Sequence, residues 1–230
     1  MGAGVQRVSG IGFSLIAVPM LVLLIGPYQG VAVANVLVIV VATTTLASTW
    51  RSVDRRRVWT LAPAGLLGVV PGVLVARTLP NDLLQVLIGG LVLLGMALVA
   101  FTSRVRFPAG PAANVATGLT SGFMTATAGV GGPALTMYAV ATGWEHSAFA
   151  ATAQVSFIAQ STVSVALKGV PDLSVGRAAL LIVIVAAGLA VGHLLAGRVG
   201  GVTARRLVTW IALLGAAGTV VKGVVGLLAG

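Results

Sequence analysis

Long stretches without a charged residue constrain the fold of this chain more than any other feature. Four of them, bounded on both sides by charged or titratable residues, span 58–76, 83–103, 147–167 and 178–197. Each is about the length of one membrane-spanning helix, which needs roughly 20 apolar residues to cross a hydrocarbon core about 30 Å thick. The chain has only four acidic residues among 230 and a mean hydropathy of +1.09, too little ionised surface for a soluble protein. We therefore predict an all-helical integral membrane protein.

Three further apolar stretches complete a set of about eight hydrophobic segments. The stretch 8–50 is too long for one helix and carries the turn signal Gly26-Pro27-Tyr28-Gln29-Gly30, which divides it in two. The stretch 107–144 contains Gly129-Val130-Gly131-Gly132-Pro133 within apolar sequence and predicts a broken helix. The last stretch is 203–228, where Lys222 can extend its ammonium to the membrane interface.

The positions of Lys and Arg predict the orientation, because cytoplasmic loops of membrane proteins are enriched in these residues. If all eight segments cross, one side holds Arg7, Arg51, Arg55, Arg56, Arg57, Arg104, Arg106, Lys168, Arg177 and Lys222, and the other holds Arg77, Arg198, Arg205 and Arg206. This predicts a multi-pass membrane protein with both termini in the cytoplasm. Alternatively, segments one and five are re-entrant hairpins, which would leave three crossings per half and invert the halves. The first segment also resembles a cleavable signal peptide, but the comparable segments that follow favour a transmembrane segment.

The chain aligns with itself in two places. Ala17-Val18-Pro19 matches Gly131-Gly132-Pro133, and Gly68–Gly72 matches Gly188–Gly192 at a similar offset. We predict one membrane domain of two related halves, residues 1–106 with segments one to four and residues 107–230 with segments five to eight, in which segments one and five are broken or re-entrant. Many transporters are built from such repeats, with the substrate site where the repeats meet. Coincidence among 31 glycines is the alternative, but the shared order of elements favours duplication.

These motifs resemble those of the sulfite exporter TauE/SafE family of bacterial permeases. The resemblance covers nearly the whole chain and rests on Gly10 through Pro19, on Gly118–Gly122 followed by Gly129–Pro133, and on the Arg-rich loop 51–57. It implies a protein of the bacterial inner (cytoplasmic) membrane that exports or takes up small sulfur-containing anions such as sulfite, thiosulfate or organosulfonates. Residues 13–18 depart from the glycine-rich stretch usual in the family, so we expect a less open site in the first half. Only nine residues precede Gly10, so a first half-helix is either absent or encoded upstream of Met1.

An anion that loses its hydration in the bilayer needs donors from the protein, and no Lys or Arg lies at the middle of a predicted span. A helix that restarts at Pro133 leaves its first amides, those of residues 134–136, without intrahelical acceptors at the positive end of the helix dipole. Such an end binds oxyanions. Close helix packing is the other interpretation of the glycines, and we favour it for Gly68, Gly72, Gly188 and Gly192.

Polar residues recur every four positions on the sixth segment, at Thr152, Ser156, Gln160 and Ser164, and therefore lie on one helix face. This face lines a pathway or forms hydrogen bonds between helices. Gln160, near mid-span, is the strongest single candidate, and Thr125 or Thr127 are further possible hydroxyl donors. The predicted substrate-binding residues are Gly129, Gly131, Gly132, Pro133, Thr136, Gln160, Ser156 and Asn35, with Pro19 and Ser14 as a weaker partner site in the first half.

Titratable residues that could couple transport to protons are scarce. His193 in segment seven is the candidate, and the pair Glu145-His146 is either a relay or a solvated loop. With no cysteine and two histidines in different segments, the sequence has no pattern for a catalytic or metal site, so we expect no enzyme activity and no cofactor. Isolated basic residues without interleaved aromatics argue against nucleic-acid binding. We predict a permease that binds a small anion within the lipid bilayer and works by alternating access. An anion channel and a structural or assembly protein are the alternatives, and the oligomeric state stays open.

Overall fold

A computed structural model describes residues 11–101, 110–169, 176 and 201–229, and these residues form helices joined by short turns. Five helical stretches are long and apolar enough to cross a membrane: Pro27–Ser52, Arg55–Thr78, Asn81–Ala100, His146–Lys168 and Thr209–Ala229. The prediction of an all-helical membrane protein is therefore confirmed for the described part of the chain. The helices are α1 (Ile11–Ile25), α2 (Pro27–Thr49), α3 (Arg55–Thr78), α4 (Asn81–Phe101), α5 (Pro111–Ala128), α6 (Gly132–Ala141), α7 (His146–Lys168) and α8 (Gly201–Ala229). Segment seven, with Gly188, Gly192 and His193, lies outside the described residues.

The first apolar stretch divides at the predicted turn. Gly26 has a φ of 89°, a backbone conformation that glycine adopts without a steric penalty, and Pro27 begins α2. A proline suits this position because the first amides of a helix have no intrahelical acceptor.

The helix break predicted at Pro19 is absent, because α1 continues through this proline. Proline removes one backbone hydrogen bond, but a sharp reversal of the chain also needs a residue that can leave the helical region. Residues 13–18 contain no glycine, and the helix persists.

The break predicted in the fifth segment is confirmed. Gly129 ends α5 with a φ of 66°, and its amide donates to the Thr125 carbonyl at 2.9 Å. This bond, with Gly129 in the left-handed region, is the αL type of helix C-cap, and the Val130 amide also donates to the Met124 carbonyl at 3.3 Å. The chain then reverses, and α6 begins at Gly132 with Pro133 in its first turn.

Helices α5 and α6 form a hairpin. The start of α5 and the end of α6 lie at the same end of the helix bundle. Helix α5 runs parallel to α3, because Asn114 Nδ2 donates to Thr60 Oγ1 at 3.1 Å near their starts and Thr127 Oγ1 donates to the Gly72 carbonyl at 3.3 Å further along. Helix α6 returns, and Trp144 beyond it stacks on the guanidinium of Arg57, 4.1 Å from the ring centroid. We call this the Arg57 end and the opposite one the Arg77 end. The re-entrant hairpin is therefore the alternative that describes the fifth segment. The prediction that this segment crosses the membrane once is wrong.

This hairpin changes the distribution of basic residues between the two ends. The Tyr28 hydroxyl donates to the Lys168 carbonyl at 3.0 Å, and the Arg77 guanidinium donates to the Leu167 carbonyl. Helix α8 runs antiparallel to α4, so that Gly226 lies against the side chain of Asp82, and Lys222 Nζ donates to the Leu23 carbonyl at 3.1 Å. The prediction that Lys168 and Lys222 share a side with Arg57 is therefore wrong, and both lie towards the Arg77 end.

Helices α3 and α5 meet along a seam of glycines, which we call the glycine seam: Gly65, Gly68 and Gly72 on α3 and Gly118 and Gly122 on α5. A Cβ added at Gly72 would lie 2.7 Å from the Phe123 carbonyl oxygen, and one at Gly118 would lie 2.7 Å from that of Leu61. Main chain therefore packs against main chain, as small residues permit in membranes. The packing interpretation of Gly68 and Gly72 is confirmed. Elsewhere α2 packs on α7 and α4 packs on α8.

Candidate functional site

Buried polar side chains from three helices meet beside the turn that joins α5 to α6. We call them the polar cluster: Asn35 on α2, Ser121 and Thr125 on α5, and Gln160 and Ser164 on α7. Each is at most 3% exposed, and apolar side chains of α1, α2 and α4 surround the neighbouring turn. Polar groups buried at this depth are costly unless they are hydrogen-bonded, so the partners of each atom matter.

Gln160 is the centre of the cluster. Its Oε1 accepts hydrogen bonds from the hydroxyls of Ser121, at 3.1 Å, and Thr125, at 3.0 Å. Its Nε2 is buried and has no hydrogen-bond partner among the described residues. The amide lies directly against Gly65 of α3, where a Cβ would overlap it. Because Gly65 has no side chain, the space beside it holds the Gln160 amide, a buried donor that has no hydrogen-bond partner among the described residues.

Asn35 connects α2 to both of the other helices. Its Nδ2 donates to Ser164 Oγ at 2.9 Å and to the Thr125 carbonyl at 3.4 Å, while Oδ1 is buried without a partner in the described part of the chain. The same Thr125 carbonyl accepts the Gly129 amide. Asn35 therefore binds the end of α5 where the helix breaks.

The turn itself packs tightly against the cluster. A Cβ at Gly131 would lie 2.8 Å from Ser121 Oγ and would overlap the Thr125 hydroxyl, and one at Gly129 would lie 2.8 Å from Cγ2 of Val18 on α1. Residues 129–135 are all buried. The start of α6, whose first amides have no acceptor within the helix, is thus enclosed beside the Ser121 and Thr125 hydroxyls that bind the Gln160 amide group. Such an arrangement is able to coordinate an oxyanion without a cationic side chain.

Three other predicted binding residues, Pro133, Thr136 and Ser156, make the following contacts outside the polar cluster. Pro133 packs beside Gly95 of α4, at 2.7 Å from the position of an added Cβ. The Thr136 hydroxyl donates to the Gly132 carbonyl at 3.0 Å, and that of Ser156 donates to the Thr152 carbonyl at 3.3 Å, so both hydrogen-bond within their own helices.

The partner site predicted at Pro19 and Ser14 does not join the cluster through Pro19. This proline packs on Gly215 of α8, where an added Cβ would lie 3.0 Å from the Pro19 Cβ. Ser14 is buried on α1. Val18 contacts the turn at Gly129 instead, so α1 contributes an apolar wall to the site. Thr127, a possible donor, hydrogen-bonds to α3 at the glycine seam.

Ser121 is a member of the cluster that was not predicted from the sequence. A signal was present, because Ser121 and Thr125 are four residues apart on α5, the same spacing as the polar stripe on α7. Gly65 was missed as well, since its importance depends on which helix approaches it.

Glu145 caps the start of α7 and lies outside the membrane-spanning helices. Hydrogen bonds from the Ser147 hydroxyl and from the amides of Ser147 and Ala148 lower the pKa of Glu145 to about 2. The carboxylate is therefore ionised at neutral pH, which favours the loop interpretation over a proton relay. Among the described residues, no three His, Cys, Asp or Glu side chains come close enough to hold a metal ion.

Comparison with known proteins gives one match. The sequence model of the family described as "Sulfite exporter TauE/SafE" matches residues 1–226. None of the curated proteins and none of the solved structures matches the chain.

Proposed function

The chain belongs to the sulfite exporter TauE/SafE family of membrane transporters, and from this premise we propose that it carries a small sulfur-containing oxyanion across the cytoplasmic membrane by alternating access. Sulfite, thiosulfate and organosulfonates are the candidate substrates. The observation that carries the proposal is the polar cluster beside the start of α6, in which Gln160 Nε2 is a buried donor without a partner among the described residues.

Neutral donors suit a carrier for such an anion. The side-chain amide of Gln160 and the first amides of α6 can replace part of the hydration that an oxyanion loses in the membrane. The Ser121 and Thr125 hydroxyls donate to Gln160 Oε1 and thereby hold this amide in place. A lysine or arginine beside Gln160, at the central site, would form a far stronger pair with the anion and would slow its release from that site. Release matters because a carrier must free its substrate on the other side at every cycle.

The conformation described above is an occluded one in this proposal, since residues 129–135 and the polar cluster are buried. Access requires a movement that separates α6 from α5 and α7. The pairing of α2 with α7 and of α4 with α8 supports two related halves, 1–106 and 107–230, because corresponding segments of the two halves then meet.

We further propose that the Arg57 end faces the cytoplasm. Arg51, just before α3, and Arg55, Arg56 and Arg57 in its first turn lie there, and the first turns of α8 add Arg205 and Arg206. Arg77, Lys168 and Lys222 lie towards the other end. The excess of basic residues on the cytoplasmic side supports this orientation. In this orientation α8 ends on the side of the membrane opposite the cytoplasm. The proposal therefore replaces the prediction of a cytoplasmic C-terminus.

The test is anion flux into proteoliposomes, with sulfite, thiosulfate, sulfoacetate and taurine screened under varied pH gradients. The Gln160→Leu variant should reduce flux of the transported anion about tenfold or more, the cost of losing one hydrogen bond to a charged group. Gln154→Leu is the matched control, because Gln154 is equally buried on α7 but donates to the Ala150 carbonyl of its own helix.

Several outcomes would count against the proposal. Wild-type turnover in Gln160→Leu at normal expression would remove the site, and exclusive cation flux would remove the substrate class. Flux that does not saturate and that competing anions do not inhibit would favour the channel alternative. The measurements under varied pH gradients also test proton coupling. If His193 carries the proton, flux through the His193→Gln variant should no longer depend on the pH gradient.

A further inference from the structure

Lys168, the last residue of α7, is a buried cation at the Arg77 end of the bundle. Its side chain is 7% exposed, and Nζ has no hydrogen-bond partner among the described residues. The ammonium lies 5.4 Å from the centroid of the Tyr28 ring. A cation–π contact compensates only a small part of the cost of burying a charge.

The acidic side chains in the described part of the chain have other neighbours. Asp54 pairs with Arg57 at 3.5 Å, and Glu145 caps α7 at its opposite end. The Asp82 carboxylate lies against Gly226 of α8. The fourth acid, Asp172, follows Lys168 by four residues in a part of the chain that the structure does not describe. A bound anion or Asp172 can therefore supply the negative charge that a protonated Lys168 requires.

Lys168 continues the polar stripe of α7. It lies four residues after Ser164 and eight after Gln160, about 12 Å along the helix at 1.5 Å per residue. Ser164 and Asn35, which are hydrogen-bonded at 2.9 Å, fill the interval between them. Buried polar groups thus connect the cluster beside α6 to a buried cation near the bundle end.

A second cation stands beside this position. Arg77 Nε donates to the Tyr28 hydroxyl at 3.4 Å, and its guanidinium donates to the Leu167 carbonyl, one residue before Lys168. Arg77 is exposed whereas Lys168 is buried. An anion arriving from the water at this end therefore meets an exposed cation first and a buried one next.

We propose that Lys168 and Arg77, with Tyr28 between them, form a second binding site for a small oxyanion at the Arg77 end, from which the anion passes along Ser164 and Asn35 to Gln160. This inference deepens the proposed function and rests on it for the direction of passage. The ligand class is a small anion with several acceptor oxygens, of which sulfite is the probe used below.

The experiment measures sulfite binding to the purified protein by isothermal titration calorimetry and sulfite flux in proteoliposomes. Lys168→Met should raise Kd and KM roughly 10- to 100-fold, as expected for losing a charge-assisted hydrogen bond, while kcat falls less. Lys168→Arg should recover most of the affinity. Lys222→Met is the matched control, because this exposed lysine donates to the Leu23 carbonyl elsewhere at the same end and should leave Kd unchanged.

Kd and KM that stay at their wild-type values in Lys168→Met would overturn the inference. A second result would also overturn it: Asp172→Asn destabilises the protein as much as Lys168→Met, the double variant is no less stable than either, and Kd is unchanged in Asp172→Asn. Asp172 would then be the partner of Lys168. If Lys168→Met does not fold, Arg77→Met replaces it, and an unchanged Kd in that variant overturns the site.

The two proposals fail in different ways. Normal flux in Lys168→Met together with the expected loss in Gln160→Leu removes only the second site. Sulfite binding that depends on Lys168, without flux of any anion in the wild-type protein, removes only the transport function.

Discussion

The contact between Gly129 and Val18 leads to a quantitative prediction for Gly129→Ala. A φ of 66° costs an L-residue about 1–2 kcal/mol, and the new Cβ would lie 2.8 Å from Cγ2 of the buried Val18, an overpacking that costs about 1–3 kcal/mol. The free energy of unfolding should therefore fall by about 2–5 kcal/mol. At about 2–4 °C per kcal/mol for a chain of this length, Tm should fall by roughly 4–20 °C.

Gly143 provides the matched control. Its φ of 62° is nearly the same, but no atom lies within 4 Å of the position of its Cβ. Gly143→Ala should therefore cost only the backbone part, about 1–2 kcal/mol or roughly 2–8 °C. Thermal unfolding of the detergent-solubilised variants, followed by far-UV circular dichroism, measures both.

A double variant separates the steric part from the backbone part. Val18→Ala removes the methyl group that the new Cβ meets, so Val18→Ala/Gly129→Ala should be more stable than the sum of the single variants by about 1–3 kcal/mol. Equal losses in Gly129→Ala and Gly143→Ala, with an additive double variant, would refute the contact between α1 and the turn.

Two further predictions concern α7 and the glycine seam. Because hydrogen bonding lowers the pKa of Glu145 to about 2, its contribution to stability is complete above about pH 4.5 and is lost as the pH falls towards 2. Glu145→Gln should thus flatten the decline of Tm over this range and leave the pH profile of flux between about pH 6 and 8 unchanged; an altered profile would revive the relay interpretation. Gly122→Ala places a Cβ on the Gly65 carbonyl and should sharply reduce the yield of folded protein by size-exclusion chromatography, whereas Gly90→Ala, with open space at its Cβ, should not; equal yields would contradict the close approach of α3 and α5.

The helical membrane fold could be predicted from the sequence because the length of each charge-free stretch matches the bilayer. The number of crossings could not, since it depends on whether a broken segment continues or reverses. Gly129 reverses the chain through its positive φ, while Pro19, without a neighbouring glycine, does not break α1. A break was predicted at both prolines, with a weaker and less open site at Pro19, and only Pro133 lies at a break.

The candidate site was partly predictable for a similar reason. Gln160 stands out on a polar stripe, and glycines followed by proline predict a helix restart, so both were found. Ser121 and Gly65 belong to the site only because α3, α5 and α7 converge there, and the spacing of residues within one helix does not contain that information. Thr136 and Ser156 were expected to donate to a ligand, but each satisfies a carbonyl of its own helix.

The glycine seam has a mechanical consequence for any cycle of opening and closing. Main chain packs against main chain at the glycine seam, so no layer of side chains there can rearrange, and we expect α3 and α5 to move as a single rigid body. Among the described residues, we then expect bending at the three residues after Ala128, which lead from α5 into the ten-residue α6. The close contact between α3 and α5 thereby determines where we expect the hairpin of α5 and α6 to bend.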